Sequence, residues 1–448
     1  MTITYAELAA LQDGAATAFR DRGLQQGDRI ALVLRDSPTF IAAFLGAVKI
    51  GAVPVPLSTL ARADELAFMQ KDCGARVTIT DADTDLLAAG GSDIDAAPTT
   101  TDDDCFWQYS SGTTGAPKAV IHRQRRAFFP AEAHGRHVAN IGPDDRVYST
   151  AKLFFSYGLN NSLVIPLAAG ASVLLDPDRF DPDRAWRLIA TERPTVLYSV
   201  PTAYAALLAA VDAGAAADLS SIRACISAGE ALSASVAERW RARFGLPILD
   251  GMGSTEIGYI AISNTVDDVT PGSSGRPVPG YEVRVVDADG ADASEGILWV
   301  RGGSTARGYH DRPGATAATF RGGWIVTGDR YRIRDGHFFH LGRGDDMLRV
   351  GAQWVSPLEV EAVLLGHPAV RECAVVGRAD ADGLTKAYAF VVATDAKASL
   401  VADLAALCAD RLPGHKRPRW IELVPELPKT ATGKIQRHRL REGATVDR

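Results

Sequence analysis

From Arg29 to Asp250 short apolar runs alternate with longer helical stretches, and this rhythm limits the chain to few architectures. Residues 29–34, 77–80, 171–175, 195–199, 223–226 and 248–250 read as strands. Residues 5–20 form an amphipathic helix with Leu8, Leu11 and Ala15 on one side. Ser37 caps a helix over 38–50, which Gly51 ends at its C′ position. Residues 201–211 and 231–244 are further helices. Strand–helix–strand alternation predicts an α/β fold with layered, mostly parallel sheets.

The texture changes at Gly272. Short β segments at 281–286, 297–300, 324–327 and 338–341, separated by Gly-Pro and Asp-Gly turns, predict a small antiparallel subdomain. A second unit begins after Gly342-Arg-Gly-Asp-Asp346. Ser356 and Glu359 fit a capping box, Pro357 sits at N1, and Val355 and Val360 suit the hydrophobic staple. Strands at 371–376, 387–392 and 420–423 and a helix at 399–411 complete an α+β domain. The expected division is a large domain over 1–343 and a small domain over 347–448, of ordinary domain size, joined through 344–346.

The chain has 448 residues, 46% of them hydrophobic, 23% charged, and a net charge of −6, as in a soluble globular protein without a long basic run. Nucleic acid and anionic membrane are therefore not expected as partners. The five cysteines (Cys73, Cys105, Cys225, Cys373, Cys408) form neither a C-x-x-C pair nor a Cys/His cluster, so no zinc site or disulfide framework is expected. The N-terminus lacks the pattern of a signal peptide. The apolar run near 41–57 is broken by Lys49, Gly51, Pro54 and Pro56, and that near 163–175 is too short to span a bilayer. A reduced, cytoplasmic protein is expected; monomer and homodimer both remain open.

Segment 109–119 (YSSGTTGAPKA) carries the first chemical signal. Apolar residues flank it, so it reads as strand, tight loop, strand. Gly112 and Gly115 allow close backbone approach to an anion. Ser110, Ser111, Thr113 and Thr114 offer hydroxyl donors, and Lys118 adds a positive charge. It is no P-loop, which needs G-x-x-x-x-G-K-[ST] entering a helix. A phosphate site and a polar hairpin both fit. Four further stretches bear on the choice. DGMGSTE over 250–256 offers a hydroxyl and a carboxylate suited to a ribonucleotide and its magnesium. Asp329, at the end of a strand, could take ribose hydroxyls. Gly342-Arg-Gly-Asp-Asp346 stands at the domain junction, and PKTATGK over 428–434 is a second Gly/Thr/Lys loop. Singly, each fits a structural role as well.

In this order and spacing, the motifs resemble the adenylate-forming superfamily of acyl- and aryl-CoA ligases, carrier-protein adenylation domains and luciferases, over nearly the whole chain. Residues 227–230 (SAGE) resemble its adenine-contacting segment. KLFFSYGL over 152–159, VPT over 200–202, SSGRPVPG over 273–280, DMLRV over 346–350 with WVSP over 354–357, and ADADG over 379–383 resemble the benzoate-CoA ligases in particular.

The resemblance implies attack of a carboxylate on the α-phosphorus of ATP, with loss of pyrophosphate, then transfer of the acyl group to a thiol. It implies ATP contacts from Ser110, Ser111, Gly112, Thr113, Thr114, Gly115, Lys118, Gly229, Glu230, Asp250, Gly251, Met252, Gly253, Thr255, Asp329, Arg343 and Lys434. Glu256 and Thr113 would place Mg²⁺, Asp329 and Arg343 would grip the ribose, and Lys434 would bridge carboxylate and α-phosphate. Lys118 becomes an assistant to Lys434. Segment 344–346 would be a hinge for a mobile small domain, which turns about Asp345, withdrawing Lys434 and admitting the thiol. The acid pocket would be lined by Phe155, Ser156, Tyr157, Gly251 and Tyr259, aromatic walls that suit a planar ring.

Some positions depart from the family pattern. Ala119 replaces a usual glycine, and Met252 an aromatic often stacked on adenine. Ser156 stands where benzoate ligases tend to have Ala, and Gly258-Tyr259 where they tend to have Leu-His. The chain is also shorter than typical before the phosphate loop. The pocket changes point to a substituted aryl acid, with an amino or hydroxyl group among the options. The acceptor stays open between CoA, a carrier-protein phosphopantetheine and a non-thiol reaction such as diazotisation of an aminobenzoate with nitrite. A non-catalytic nucleotide binder is the remaining alternative.

Overall fold

A computed structural model of the chain describes residues 2–83, 94–110, 116–344, 346–350, 353–381, 384–395, 397, 399–429 and 435–441. The expected rhythm is present. Val53–Pro56, Arg29–Val33 and Val77–Thr80 lie in that order in a parallel sheet. Helices Tyr5–Asp21 and Pro38–Lys49 pack together beside it. Ser37 Oγ accepts from Phe40 N at 3.2 Å, as its capping position requires. Strand Val53–Pro56 was not foreseen, because Pro54 and Pro56 argue against a central strand. It lies at the edge of this sheet, where prolines are tolerated. Helix Ala63–Asp72 was also missed. It buries only Met69, so it shows no apolar stripe.

The central sheet has seven strands. Ile248–Gly253, Ala224–Ser227, Val196–Ser199, Arg146–Ser149 and Ser172–Leu174 run parallel, and Ile260–Ser263 and Arg276–Pro277 add two antiparallel strands at one edge. Helices Pro182–Glu192, Pro201–Asp212 and Ala234–Phe244 cover one face through Trp186, Tyr204 and Trp240. The other face packs on the antiparallel subdomain through Tyr259, Ile260, Leu298 and Tyr331. That subdomain pairs Tyr281–Val286, Glu295–Gly302, Trp324–Arg334, His337–Arg343 and Phe320–Arg321. Two boundaries differ from expectation. The strand expected to stop at Asp250 continues to Gly253, and Asp329 lies inside the strand Trp324–Arg334 rather than at its end.

In the C-terminal part, Val370–Ala379, Thr385–Ala393 and Trp420–Leu423 form one sheet, the first pair antiparallel and the second parallel. Helices Pro357–Leu365 and Leu400–Arg411 pack on it. Ser356 Oγ accepts from Glu359 N, but the Glu359 carboxylate does not return to the Ser356 backbone. It instead accepts from Lys416 Nζ at 2.6 Å, so only half of the capping box forms. Val355 and Val360 are both fully buried in one cluster, as a staple requires. Buried Glu361 holds Arg437 through Oε2–Nη2 at 3.0 Å, and Arg437 and Arg441 both reach Asp346. All five cysteines are buried and free. Among the described residues no helix is long and apolar enough to cross a membrane.

Candidate active site

The Gly-rich segment is mounted on a hairpin. Strands Asp104–Ser110 and Lys118–Arg123 pair antiparallel, with Ser110 opposite Lys118, so both residues stand where the loop leaves the sheet. Ser111, Gly112, Thr113, Thr114 and Gly115 lie outside the described residues, as do Asp345 and Lys434. Short strand Gly308–Tyr309 zips onto the lysine strand, Tyr309 opposite Val120. The Lys118 ammonium sits over the Tyr309 ring, 5.0 Å from its centroid. The Tyr309 hydroxyl donates to Glu256 Oε1 at 2.9 Å. Burial and the neighbouring carboxylate hold that phenol well above its ordinary pKa. Lys118 and Glu256, read from motifs far apart, thus share one aromatic neighbour. Tyr309 itself was missed, because a lone aromatic between turn residues has no periodicity to mark it.

Glu256 sits in a tight turn after strand Ile248–Gly253. Gly258 N donates to Ser254 O at 2.9 Å, and the Glu256 carbonyl accepts from Ala306 N at 2.8 Å. Ser254 and Thr255 are half-buried in this turn. Gly251 and Gly253 have a structural reason that the sequence did not reveal. A Cβ on Gly251 would come within 2.7 Å of Ile260 Cγ2, and one on Gly253 within 2.3 Å of Tyr259 O. They admit the neighbouring antiparallel strand rather than simply exposing backbone to a ligand. Met252 between them is buried.

One strand over, Ser227 lies opposite Asp250 in register, with Gly229 and Glu230 just beyond. Asp250 and Ser227 are both buried, and the Ser227 hydroxyl is a hydrogen-bonding neighbour of the Asp250 carboxyl. Burial holds the Asp250 carboxyl well above the usual carboxylate range. Two buried polar side chains at the C-terminal ends of parallel strands fit the polar edge of a ligand ring. Asp329 and Arg343 face each other across two strands, Arg343 Nη1 lying 3.7 Å from Asp329 Oδ1. His340 Nε2 approaches the same carboxylate at 3.7 Å, a neighbour not foreseen.

The expected acid pocket is partly assembled. The Tyr157 ring is half-buried, stacks on Tyr259 (6.1 Å between centroids, 27° between planes) and meets Tyr198 edge-on. Ser156 Oγ donates to the Gly258 carbonyl at 3.1 Å, which also accepts from Asn160 Nδ2 at 3.0 Å. Tyr157 Oη donates to Ile226 O at 3.2 Å, and Tyr259 Oη to Asn161 Oδ1. Half-buried Phe155 packs edge-on against buried Phe154, beside the core of the N-terminal helices. His134, Tyr198, Asn160 and Asn161 were missed. Fully buried His134 meets Tyr259 edge-on at 5.1 Å, and burial pushes its imidazole down to about 3, so it is neutral. Nothing in the local sequence marks His134, rather than His137, for such a position.

Among the described residues no three His, Cys, Asp or Glu side chains converge as a metal cluster. A magnesium ion at Glu256 would complete its shell with phosphate oxygens and water, which is how that ion accompanies nucleotides.

This chain and its fold have clear counterparts. Residues 1–310 match the family described as AMP-binding enzyme, and residues 359–434 match the AMP-binding enzyme C-terminal domain. The chain belongs to the AMP-binding enzyme family. It is similar to the benzoate–CoA ligase of Thauera aromatica, with 43% identity over 98% of this chain and 90% of that protein. Among solved structures, an anthranilate CoA ligase in complex with anthranoyl-AMP superposes with a TM-score of 0.94 at 36% identity, covering 99% of this chain and 92% of that one. A benzoate CoA ligase from Burkholderia xenovorans LB400 superposes with a TM-score of 0.89 at 39% identity, covering 98% and 94%.

Proposed function

We propose that the protein activates an aryl carboxylic acid with ATP as the acyl-adenylate and passes the acyl group to the thiol of coenzyme A, releasing AMP and pyrophosphate. The observation that carries this reading is the likeness, over nearly the full chain, to CoA ligases acting on benzoate and anthranilate. Two anions must meet while charge builds on the leaving phosphates, so positioned positive charge is the main requirement. Lys118 and the loop donors Ser110, Ser111, Gly112, Thr113, Thr114 and Gly115 would hold the outer phosphates. Glu256 and Thr113 would hold Mg²⁺, which supplies charge neutralisation there. Ser227, Gly229, Glu230, Asp250 and Met252 would meet the adenine, and Asp329 and Arg343 the ribose. Lys434 would bring the bond-making charge on a small domain, 347–448, turning about Asp345.

The acid side supports an aromatic ring with a hydrogen-bond donor. Ser156, Tyr157 and Tyr259 each donate their hydroxyl hydrogen to a protein oxygen. Hydroxyls that have given their hydrogens can only accept from a further partner. An amino or hydroxyl substituent satisfies them; a nitro or methoxy group does not. The test is ATP–pyrophosphate exchange with a panel of benzoates. Exchange should require an aryl acid and Mg²⁺, and should be faster with amino- or hydroxybenzoates than with nitro- or methoxybenzoates. Exchange without any acid, or equal rates across aliphatic and aryl acids, would contradict the reading.

A further inference from the structure

We propose that Tyr309 is a positioning residue that sets Glu256 and Lys118 in their places at the outer-phosphate end of the site; the proposal rests on the adenylate-forming reading above. One side chain serves two charges at different ends. Its hydroxyl donates to Glu256 Oε1 at 2.9 Å, and its ring face meets the Lys118 ammonium at 5.0 Å. The hydrogen bond occupies one carboxylate oxygen and fixes the plane of the group, leaving Oε2 to face a cation. The ring face restrains a lysine whose stem is otherwise flexible.

Tyr309 is itself held firmly. It is 9% exposed, its N–H donates to Thr316 Oγ1 at 3.1 Å, and its ring packs edge-on against Phe320 at 5.3 Å. The segment around it braces both strands of the phosphate-loop hairpin. Arg307 N donates to Ile121 O and His310 N to Ala119 O, both at 2.9 Å. The His310 ring lies 4.5 Å from that of Trp107. Arg312 Nη2 reaches Asp72 Oδ1 at 2.6 Å, and Asp72 Oδ2 in turn accepts from Tyr109 Oη at 2.9 Å. The phenol is therefore a rigid strut between the loop stem and the carboxylate turn. It gives the lysine a ring to lie on, so that it need not pair directly with Glu256 and occupy the edge a metal ion would use.

The test is Tyr309→Phe, which keeps the ring and removes the hydroxyl. ATP binding is measured by equilibrium dialysis with and without Mg²⁺, alongside thermal melting and ATP–pyrophosphate exchange. The Mg²⁺ concentration that gives half-maximal ATP binding should rise about tenfold, the scale of a lost hydrogen bond to a charged group. Binding without Mg²⁺ should stay within about twofold of the parent. Glu256→Gln completes a cycle, and the effect of Tyr309→Phe on the Mg²⁺ dependence should be largely lost when Glu256→Gln is already present. An unchanged Mg²⁺ dependence, equal losses with and without Mg²⁺, additive effects, or a Tyr309→Phe protein that does not fold would each overturn the proposal. If the parent protein binds no ATP and exchanges no pyrophosphate with any aryl acid, the adenylate-forming reading itself fails, a result distinct from all of these.

Discussion

Ser156→Ala separates the structural use of this hydroxyl from its use on the substrate. The hydroxyl donates to the Gly258 carbonyl at 3.1 Å, but Asn160 Nδ2 donates to the same oxygen at 3.0 Å. Removing Ser156 Oγ therefore leaves no orphaned acceptor. The stability cost should fall at the low end for a neutral hydrogen bond, about 0.5 kcal/mol. On the substrate side, the lost lone pair removes one acceptor for a ring amino or hydroxyl group. A bond of about 1 kcal/mol corresponds to about a fivefold fall in kcat/KM for the donor-substituted acid. Benzoate, which offers no donor, should be unaffected. The assay is competition between benzoate and the preferred amino- or hydroxybenzoate, scored by product mass, with denaturant unfolding in parallel. An unchanged product ratio, or an equal loss for both acids, would refute the argument that these hydroxyls face the substrate as acceptors.

Two further predictions come from other parts of the chain. Lys434→Ala should abolish acyl-adenylate formation yet spare thioester formation from a synthetic acyl-adenylate and CoA; equal loss of both half-reactions would contradict the two-conformation account. Burial raises the carboxyl of Asp36 to about 6, against an accepted hydrogen bond from Leu153 N at 2.9 Å and the nearby Lys152 charge. The folded chain therefore holds this proton more tightly than the unfolded chain. Its contribution to stability is greatest below about pH 4 and falls as pH rises to about 6, by about 3 kcal/mol. Asp36→Asn removes that dependence. Denaturant unfolding of both proteins from pH 4 to 7 should show the parent losing ground to the variant over this interval, and parallel curves would count against it.

The layered architecture was legible because it rests on strong local signals. Ser37 before Pro38, and Trp420–Leu423 as a strand, needed only caps and apolar runs. Features set by packing were not legible. The prolines of Val53–Pro56 masked a strand whose place at a sheet edge only the tertiary structure reveals. The glycines at 251 and 253 look like ligand-access positions in sequence, yet the adjacent strand alone demands them. The site followed the same division. Lys118, Glu256, Asp329 and Arg343 stood out within motifs, and the fold pairs them as neighbours. Tyr309, His134 and Tyr198 carry no local signature, because each reaches its partner from a distant part of the chain.

The most direct test incubates the protein with ATP, Mg²⁺ and aminobenzoates or hydroxybenzoates, with CoA, with nitrite, or with neither, and measures AMP, pyrophosphate and product mass together. The account predicts one AMP and one pyrophosphate for each aryl-CoA thioester formed, with sustained turnover only when CoA is present. AMP release that depends on nitrite and not on CoA, or no turnover with any aryl acid, would contradict it.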